Sequence, residues 1–576
     1  MPAVPAAAFL RGSGLPQAWS QQQAWRVLET DFSVGLNFLR TWRAWKDDPL
    51  RPRMLHYVSL TVAPPHVDEI LSSVAPIADL IELAHELVRQ WFELLPGFHR
   101  LTFDDGQVLL TLCVGDLMPM LREQQFLADS VYLNTDPAGL GQWDKWAVKA
   151  LAKCCRRGTC VVSALDTPQL HADLTQCGFE MHAGKTQSTS DALIGRFNPR
   201  WEIKNRRHPA LVPAVAAGTC VVVGAGLAGA SVAAALARRG WRVQVLDQGA
   251  APATGASGLP VGLVVPHVSA DDCSISRLSR SGVRLMLQQA QQLLQHGQDW
   301  EATGVLERRF AGDLHLTDIW HAQAAWLKPV QLVRAWLAQS GVTFQGDAKV
   351  EQVRPSGDQW ELLNARGEVL ATADRIVFAN ASGAPALLET MQASRPTLGI
   401  NVKLLAAMHS VPGQLSWAMH KSAPDDAFPP FPVNGSGSVI PKVPTAGGTA
   451  WYVGSSYQRS SKPAATDEEN HASNLARLHK LIPILGATIA PEFAAGQISA
   501  WKGTRCVTVD RLPLVGPVYL ADYPSLWICA GMGSRGLSFS VLCAELLAAL
   551  WGAEPLPVAS GLAQSLNDLR RAGVSL

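Results

Sequence analysis

The stretch CVVVGAGLAGASVAAALARRGWRVQVLDQG, residues 220–249, decides the fold of the second half of the chain. A β-branched run leads directly into Gly224, Gly226 and Gly229, which form the pattern G-x-G-x-x-G. In such a unit the first glycine permits a tight turn, the second lets the backbone approach a pyrophosphate, and the third lets the helix pack close to the strand. A helical segment and a second strand ending in Asp247 follow. The stretch therefore predicts a dinucleotide-binding βαβ unit.

Asp247 strengthens this prediction, because a bare G-x-G-x-x-G pattern is weak evidence. It stands at the end of the second strand, where a carboxylate accepts hydrogen bonds from the adenosine ribose. The helix N-terminus between the two strands offers unpaired N–H groups and partial positive charge to phosphates. A glycine-rich turn with a purely structural role would leave the position of Asp247 unexplained.

Two further stretches favour FAD over NAD. Residues 255–267, GASGLPVGLVVPH, are small and follow the second strand, which suits a backbone lying against a flavin and its phosphates. Residues 526–551 repeat the pattern of strand, glycine turn and helix, with Gly531, Gly533 and Gly536 at the turn. A second helix N-terminus of this kind is expected to face a flavin ring, whereas NAD domains do not need one.

Composition limits the class of protein. A chain of 576 residues is too long for one core, and 48% hydrophobic with 17% charged residues is typical of globular proteins. The net charge of +1 means that local patches, and not a global field, must hold any nucleic acid. The ten cysteines show no C-x-x-C spacing, which favours reduced thiols and a cytoplasmic protein without a metal site.

No targeting or membrane segment is expected. The N-terminus lacks a basic region followed by an apolar core, so it does not read as a signal peptide. Residues 214–237 contain no charge, but β-branched residues precede the central glycines and alanines follow them. We therefore interpret this segment as a buried strand, turn and helix, each too short to cross a bilayer.

The first 200 residues alternate short apolar runs with helical patterns, which predicts a parallel sheet with helices on both faces. Hairpins are expected at Asp105-Gly106 and at the end of this part. We predict a first α/β domain at 1–200, a basic linker at 201–216 and an FAD domain at 217–576. Residues 411–449, rich in Pro, Gly and Ser, are expected to form loops.

The second domain resembles the FAD-dependent amine oxidases of the glycine oxidase and D-amino-acid oxidase group. The segment WKGTRCVTVDRLPLVGP, residues 501–517, matches the part of that group in which an arginine pairs with the substrate carboxylate, and GSRGLSF matches a second arginine near the flavin. The resemblance assigns these roles to Arg505 and Arg535, and implies an inserted antiparallel substrate domain. It implies that the substrate amine is oxidised to an imine, which water hydrolyses.

We expect His267, near the flavin by sequence, to be structural. The other cofactor contacts implied by the resemblance are Ser257, Gly258, Gly262, Val350, Ser534 and Leu537.

The whole chain resembles the family of bifunctional bacterial tRNA 5-methylaminomethyl-2-thiouridine biosynthesis proteins. The stretches FLRGSGLPQAW, LLPGFHRLTFDDGQVLLTL, VDRLPLVGP and GMGSRGLSF carry this resemblance. It implies a Rossmann-like methyltransferase domain fused to the FAD domain. The FAD domain would remove the carboxymethyl group of 5-carboxymethylaminomethyl-2-thiouridine in tRNA, and the first domain would methylate the exposed amine with S-adenosylmethionine.

The methyl-donor site departs from the family pattern. The family loop reads E-T-G-F-G-x-G after the first strand, whereas this chain reads ETDFSVG, with Asp31 and Ser33 at two glycine positions. The family has acids after its second and fourth strands, where this chain has Thr61 and Asn134. The contacts that the resemblance still implies are Glu29, Gly35 and Asp116 toward the methyl donor, with Asn134 at the catalytic position.

These departures decide what we expect of the first domain. A residue forced into a glycine conformation costs about 1–2 kcal/mol. A lost hydrogen bond to a charged group costs roughly 1.5–3 kcal/mol. Together with the charge of Asp31 they weaken binding of S-adenosylmethionine about a thousandfold. The chain also begins at the family's F-L-x-G-x-G-L-P segment, so we expect it to lack an N-terminal portion of that site, unless its start codon is misplaced.

Three functions stay open on sequence alone. The first is a tRNA-modifying flavoenzyme, acting as a monomer without a membrane partner. The second is an oxidase of a free amino acid such as glycine or sarcosine. The third treats the first domain as a binding module only. Basic residues at 196–207, together with Arg156 and Arg157, favour a polyanionic substrate, although a solvated linker would also carry such charges.

Overall fold

The chain divides into two compact units, in a computed structural model that describes residues 6–134, 142–163, 167–183, 193–201, 215–394, 408–420, 427–458, 465–518 and 525–567. The first unit takes residues 1–216 and 548–563, and the second takes 217–547 and 564–576. The sequence had assigned 548–563 to the FAD domain, and the structure places this segment in the first unit. Most of the predicted basic linker, residues 202–214, lies outside the described residues.

The first unit is built on one eight-stranded sheet. Its strands are β1 (Ala24–Glu29), β2 (Met54–Thr61), β3 (Gly97–Phe103), β4 (Val108–Val114), β5 (Ala128–Leu133), β6 (Cys155–Ser163), β7 (Phe179–Ala183) and β8 (Leu193–Phe197). The order across the sheet is β3-β4-β2-β1-β5-β6-β8-β7. Strands β4, β2, β1, β5 and β6 are parallel, so their carboxyl ends share one edge. The order reverses between β1 and β5, and ligands of open α/β sheets bind at such a switch point.

Helices cover both faces of this sheet, so its central strands are buried on both sides. They are α1 (Ala6–Gly12), α2 (Leu36–Asp47), α3 (Val67–Val74), α4 (Ile81–Arg89), α5 (Leu117–Arg122), α6 (Lys145–Lys153) and α7 (Pro168–Gln176). The predicted hairpins are confirmed as the antiparallel pairs β3–β4 and β7–β8. Helix α4 ends at Arg89, and just beyond it Trp91 stacks on Phe32 and donates its indole N–H to the Pro65 carbonyl.

The C-terminal segment, residues 548–563, is built into the first unit. Arg26 of β1 donates to the Gly552 and Ala553 carbonyls at 2.9 and 3.2 Å, and buried Arg100 of β3 donates to the Pro555 carbonyl at 2.6 Å. The Glu123 carboxylate accepts from the Ser560 hydroxyl at 2.7 Å. Leu556 and Val558 are buried. This segment therefore completes a domain whose other residues lie more than 300 positions earlier.

The second unit contains a six-stranded sheet that carries the dinucleotide motif. Its strands are β9 (Thr219–Val223), β10 (Arg242–Leu246), β16 (Val342–Gln345), β20 (Arg375–Phe378), β26 (Leu514–Pro517) and β27 (Leu526–Ala530), in the order β16-β10-β9-β20-β27-β26. All neighbours are parallel except β26 and β27. The predicted Rossmann-type sheet is therefore confirmed.

A seven-stranded sheet forms the second layer of this unit. Its strands are β13 (Val305–Ala311), β14 (Leu314–His321), β21 (Met408–Met419), β22 (Val433–Asn434), β23 (Ser438–Thr445), β24 (Gly448–Gly454) and β25 (Ser499–Thr508), in the order β14-β13-β22-β23-β24-β21-β25. The prediction of loops at 411–449 is therefore wrong. Pro412 lies where β21 pairs only with β25, because pairing with β24 begins at Leu415. Proline is tolerated in a strand at such a one-sided position.

The remaining elements of the second unit are short sheets and helices. The strands are β11 (Gly262–Val264), β12 (Trp300–Glu301), β15 (Ala325–Leu327), β17 (Gln352–Ser356), β18 (Gln359–Leu363) and β19 (Val369–Ala373). The helices are α8 (Leu227–Arg238), α9 (Ser274–Leu293), α10 (Pro329–Leu337), α11 (Ala384–Ser394), α12 (Asp467–Leu481), α13 (Pro483–Ala494) and α14 (Gly536–Gly552), and α15 (Ser560–Gln564) follows. No helix in the described ranges is long and apolar enough to cross a membrane. All ten cysteines are free.

Candidate functional site

The glycine pattern after β9 forms the turn that the sequence predicts. Gly224 has a φ of +106°, and a Cβ there would lie 2.8 Å from the Ala379 carbonyl oxygen. A Cβ on Gly229 would lie 1.8 Å from the Gly224 carbonyl oxygen, so only glycine lets α8 pack this closely. Gly226 precedes α8, whose first N–H, on Leu227, donates to the Ser257 hydroxyl at 2.9 Å.

Asp247 follows β10 and faces the same turn. Its carboxylate accepts the N–H of Ala225 at 2.7 Å and the N–H of Gly249 at 2.8 Å. Each carboxylate oxygen has a further lone pair. The side chain also lines the cavity described next, so it is placed to accept hydrogen bonds from a ribose.

A cavity of about 1120 Å³ lies against this turn in the second unit. Its lining includes most of the residues predicted to bind the cofactor or substrate, which are Gly224, Gly226, Asp247, Ser257, Gly262, Val350, Arg505, Gly531, Gly533, Ser534, Arg535, Gly536 and Leu537. Gly229 and Gly258 do not line it, because they pack against the Gly224 and Ala253 carbonyls. Sequence reasoning missed several lining residues that carry no local motif, among them Asn434, Ser436, Tyr452, Ser455 and Arg477.

The glycine turn after β27 forms another side of the cavity. Gly531 and Gly533 have positive φ values of +74° and +58°, and helix α14 begins at Gly536. The N-terminal residues of this long helix line the cavity, so its unpaired N–H groups and partial positive charge lie nearby. These glycines, the turn after β9 and the cavity volume together fit an extended dinucleotide such as FAD.

Arg505 lies on β25 and reaches across the neighbouring strand. Its guanidinium donates to the Ser455 hydroxyl and, at 3.4 Å, to the Ser456 carbonyl. Burial lowers the pKa of Arg505. Gly413 on β21 makes this position possible, since a Cβ there would lie 2.4 Å from Arg505 Nη1. Nothing in the local sequence around Gly413 indicates this role.

Arg535 and His267 lie near each other in the second unit. Burial lowers the pKa of Arg535, although the carboxylate of Glu307 opposes this shift. Burial and the charge of Arg535 both lower the pKa of His267. His267 does not line the cavity, and its backbone N–H donates to Ser279 at 2.8 Å. The geometry agrees with a structural role for His267.

The carboxyl ends of β1 and β5 meet in the first unit, as a methyl-donor site requires. The Asn134 side chain donates to the Asp31 carbonyl at 3.2 Å, and the Thr30 hydroxyl donates to the Asn134 carbonyl at 2.7 Å. Gly35 has a φ of +79° at the start of α2, and Asp116 is exposed at the start of α5. The loop that follows Asn134, residues 135–141, lies outside the described residues.

Asp31 and Ser33, which stand at two glycine positions of the family pattern, differ in backbone conformation. Ser33 has a φ of +49°, which lies in the left-handed region that favours glycine, whereas Asp31 has no positive φ. The Asp31 carboxylate accepts the Ser33 N–H at 3.2 Å. This backbone N–H of the loop already has a hydrogen-bond partner within the protein. Thr61 donates its hydroxyl to the Ala63 carbonyl at 2.7 Å and supplies no carboxylate. At these positions the described residues fit S-adenosylmethionine poorly.

Glu29 lies fully buried inside a polar network. Its carboxyl group accepts from the Asn37 amide at 2.7 Å and from the Ser59 hydroxyl at 2.8 Å. Burial raises the pKa of Glu29 from 4.5 to about 7, although these hydrogen bonds oppose the shift. The described hydrogen bonds of Glu29 go to side chains of the protein itself. Its contact with the methyl donor stays a prediction.

The raised pKa of Glu29 predicts how stability depends on pH. Between pH 4.5 and about 7 the folded protein binds more protons than the unfolded chain, so stability falls as pH rises through this window. The loss is on the order of 3 kcal/mol. The amide oxygen of Glu29→Gln still accepts from Asn37, and its NH2 group donates to the Ser59 hydroxyl. We expect this variant to raise the unfolding temperature at pH 8 and to change it little at pH 5. Equal effects at both pH values would contradict this, and exposed Glu82→Gln is the control.

Comparisons with known proteins identify the family. The sequence pattern of FAD dependent oxidoreductases matches residues 219–313 and 308–550, and that of S-adenosyl-L-methionine-dependent methyltransferases matches 78–193. A relative from Albidiferax ferrireducens, named tRNA 5-methylaminomethyl-2-thiouridine biosynthesis bifunctional protein MnmC, is 61% identical over 98% of this chain and 96% of its own. The chain belongs to the MnmC family. MnmC relatives from Polaromonas sp. and Polaromonas naphthalenivorans are 46% and 45% identical, over 97% and 96% of this chain and 93% and 91% of theirs.

Membership of the MnmC family confirms the resemblance seen in the sequence. The chain combines an FAD-dependent oxidoreductase domain with an S-adenosylmethionine-dependent methyltransferase domain, as MnmC proteins do. No group of His, Cys, Asp or Glu within the described ranges is arranged to hold a metal ion. The roles of individual residues are not tested by these comparisons and stay predictions.

Proposed function

We propose that the second unit removes the carboxymethyl group from 5-carboxymethylaminomethyl-2-thiouridine at the wobble position of tRNA. The reaction oxidises the bond between the secondary amine and the methylene carbon of the carboxymethyl group. FAD, when bound, supplies the chemistry that accepts two electrons from this bond. Water then adds to the resulting carbon–nitrogen double bond, and hydrolysis releases glyoxylate and leaves the primary amine on the uridine.

The single observation that carries this proposal is the position of Arg505. It lines the same cavity as the dinucleotide turn, and no carboxylate among the described residues forms an ion pair with it. A guanidinium in this state favours a carboxylate ligand, which it can bind through two parallel hydrogen bonds. The substrate group is an N-substituted glycine, so its carboxylate can occupy this place while the methylene carbon lies toward the flavin.

Oxidation of a free amino acid such as glycine or sarcosine is the competing function. Arg505 alone is compatible with both, since both substrates carry a carboxylate. The exposed Arg157 and Arg196 favour a polyanionic substrate, whereas Arg156 pairs with the Asp129 carboxylate. Electrophoretic mobility shifts with tRNA separate the two functions, because phosphate contacts make binding strongly dependent on salt. A free-amino-acid oxidase would show no shift at low salt.

Nucleoside mass spectrometry tests the proposal directly. A bacterial strain that lacks its own family member is expected to accumulate the carboxymethylaminomethyl nucleoside, and this chain is expected to remove it. Continued accumulation in the presence of the chain would overturn the proposed oxidation. The cytoplasm, where tRNA is modified, is the proposed place of action, and a monomer is the expected state.

We further propose that the first unit binds S-adenosylmethionine weakly. The complemented strain would then contain the aminomethyl nucleoside and little of its methylated form. Titration calorimetry of the wild-type chain is expected to detect no micromolar binding. The double variant Asp31→Gly with Ser33→Gly removes a carboxylate and a positive-φ side chain, so it is expected to bind at least about tenfold more tightly. Micromolar binding by the wild type would contradict this.

A further inference from the structure

We infer that Arg477 is a second anion-binding side chain of the substrate cavity, which contacts a phosphate of the nucleotide that carries the carboxymethylamino group. This inference rests on the proposed function and adds a specificity determinant to it. Arg477 lies on α12 and lines the same cavity as Arg505. The two arginines come from different elements, so no sequence motif joins them.

Ser455 brings the two guanidinium groups together. Arg477 Nη1 donates to the Ser455 carbonyl at 3.1 Å and lies 3.5 Å from the Ser436 carbonyl, whereas Arg505 donates to the Ser455 hydroxyl. Two like charges that share one residue repel each other, and the charge of Arg477 adds to the effect of burial in lowering the pKa of Arg505, although Tyr457 opposes this. A ligand with negative charge relieves this repulsion.

Neither arginine is neutralised by the protein, as far as the described residues show. Both are half-buried, their described side-chain hydrogen bonds go to hydroxyl and carbonyl oxygens, and no carboxylate among these residues pairs with them. Exposed arginines elsewhere in the chain do find acids, as Arg354 does with Glu361 at 2.8 Å. Two arginines without a carboxylate partner among the described residues therefore line the same cavity.

The charge count favours a nucleotide over a free amino acid. Arg535, the third arginine of the lining, lies near the carboxylate of Glu307. Of the remaining two guanidinium groups, the carboxylate of an N-substituted glycine neutralises one and leaves the other without an anion. The uracil base is neutral, so the remaining anion of a wobble nucleotide is its phosphate. Gly435, Ser436 and Gly437 form the cavity lining beside Arg477, and a Cβ on Gly437 would lie 3.4 Å from Arg477 Cβ. These small residues leave room for a sugar-phosphate backbone to approach the guanidinium.

The test compares two substrates that carry the same reacting amine and differ only in whether phosphate groups are present. The substrates are the 5-carboxymethylaminomethyl-2-thiouridine nucleoside and its 3′,5′-bisphosphate, and the full-length holoenzyme is assayed as wild type, Arg477→Gln and Arg354→Gln. We expect the wild type to prefer the bisphosphate by about tenfold or more in kcat/KM. Arg477→Gln is expected to lose most of this preference, because kcat/KM falls far more on the bisphosphate than it changes on the nucleoside, and Arg354→Gln is expected to keep the preference.

Two further measurements distinguish loss of a phosphate contact from a general loss of activity or folding. With modified tRNA, Arg477→Gln is expected to raise KM and leave kcat unchanged, and the slope of log KM against log salt is expected to fall by about one. Arg477→Lys keeps the charge and is expected to retain part of the preference. An unchanged flavin spectrum in each variant confirms that the holoenzyme is folded.

Several outcomes would overturn the inference. A bisphosphate preference that survives in Arg477→Gln means that this side chain contacts no phosphate. Equal losses on nucleoside and bisphosphate mean that Arg477 holds the carboxylate together with Arg505. If the wild type oxidises free sarcosine but neither nucleoside form nor tRNA, the proposed function fails, and the inference fails with it.

Discussion

Replacing Arg505 by alanine is expected to abolish oxidation of the modified tRNA, while the purified protein stays yellow. The side chain lines the cavity from β25, and the dinucleotide turn around Gly224 and Gly226 is formed by other elements. Loss of a desolvated, charge-assisted contact costs about 4 kcal/mol, which corresponds to a factor of about a thousand in kcat/KM. The measurement is kcat/KM together with the flavin absorbance of the same preparation.

Two matched variants make this result specific. Lys502→Ala removes a cation from the same strand, but Lys502 is exposed and pairs with Asp467 at 2.5 Å, so little change is expected. Arg505→Lys keeps the charge and loses the planar pair of donors, so it is expected to recover only part of the activity. Full activity in Arg505→Ala would remove the proposed carboxylate contact.

Ending the chain after Gly552 is expected to unfold the first unit. The deletion removes the Pro555 carbonyl that accepts from buried Arg100, and it uncovers the apolar surface under Leu556 and Val558. Burial of these two side chains contributes about 1.5–3 kcal/mol each. With the lost hydrogen bonds the total reaches about 5 kcal/mol or more, and a whole domain is stable by only about 5–15 kcal/mol.

The measurement is far-ultraviolet circular dichroism and limited proteolysis of the shortened chain. Rapid cleavage within residues 6–134 is expected. A chain that ends after Asn567 is the control, because it keeps the C-terminal segment and also Leu566, whose carbonyl accepts the Val515 N–H. A first unit that resists protease without residues 553–576 would contradict the prediction.

The turns and hairpins of the fold could be predicted from sequence, because interactions between residues close together in the chain determine them. The turn at Gly224 and the hairpin at Asp105-Gly106 could be predicted because glycine conformations and short loops act over a few residues. Strand β21 was missed, because its pairing partner β25 lies some 90 residues further along the chain. Composition there is dominated by Pro and Gly, which obscures the alternation of a strand.

The candidate site was predictable to the same extent. The dinucleotide turn and Arg505 lie in recognisable motifs, and the structure brings them to one cavity. Arg477 and Gly413 carry no motif, and their importance comes from what the fold places beside them. For the same reason no pattern in the sequence marks residues 548–563 as part of the first unit, since their partners are Arg26 and Arg100 on distant strands.

The membership of residues 548–563 in the first unit also bears on synthesis of the protein. A ribosome that has completed residue 216 has made nearly all of this unit, but must translate a further 330 residues or so before the closing segment emerges. Until then, the Gly552, Ala553 and Pro555 carbonyls that accept from Arg26 and Arg100 have not been made. Domains usually fold in N-terminal-first order during synthesis, but here the first unit can be completed only after most of the second unit has been translated.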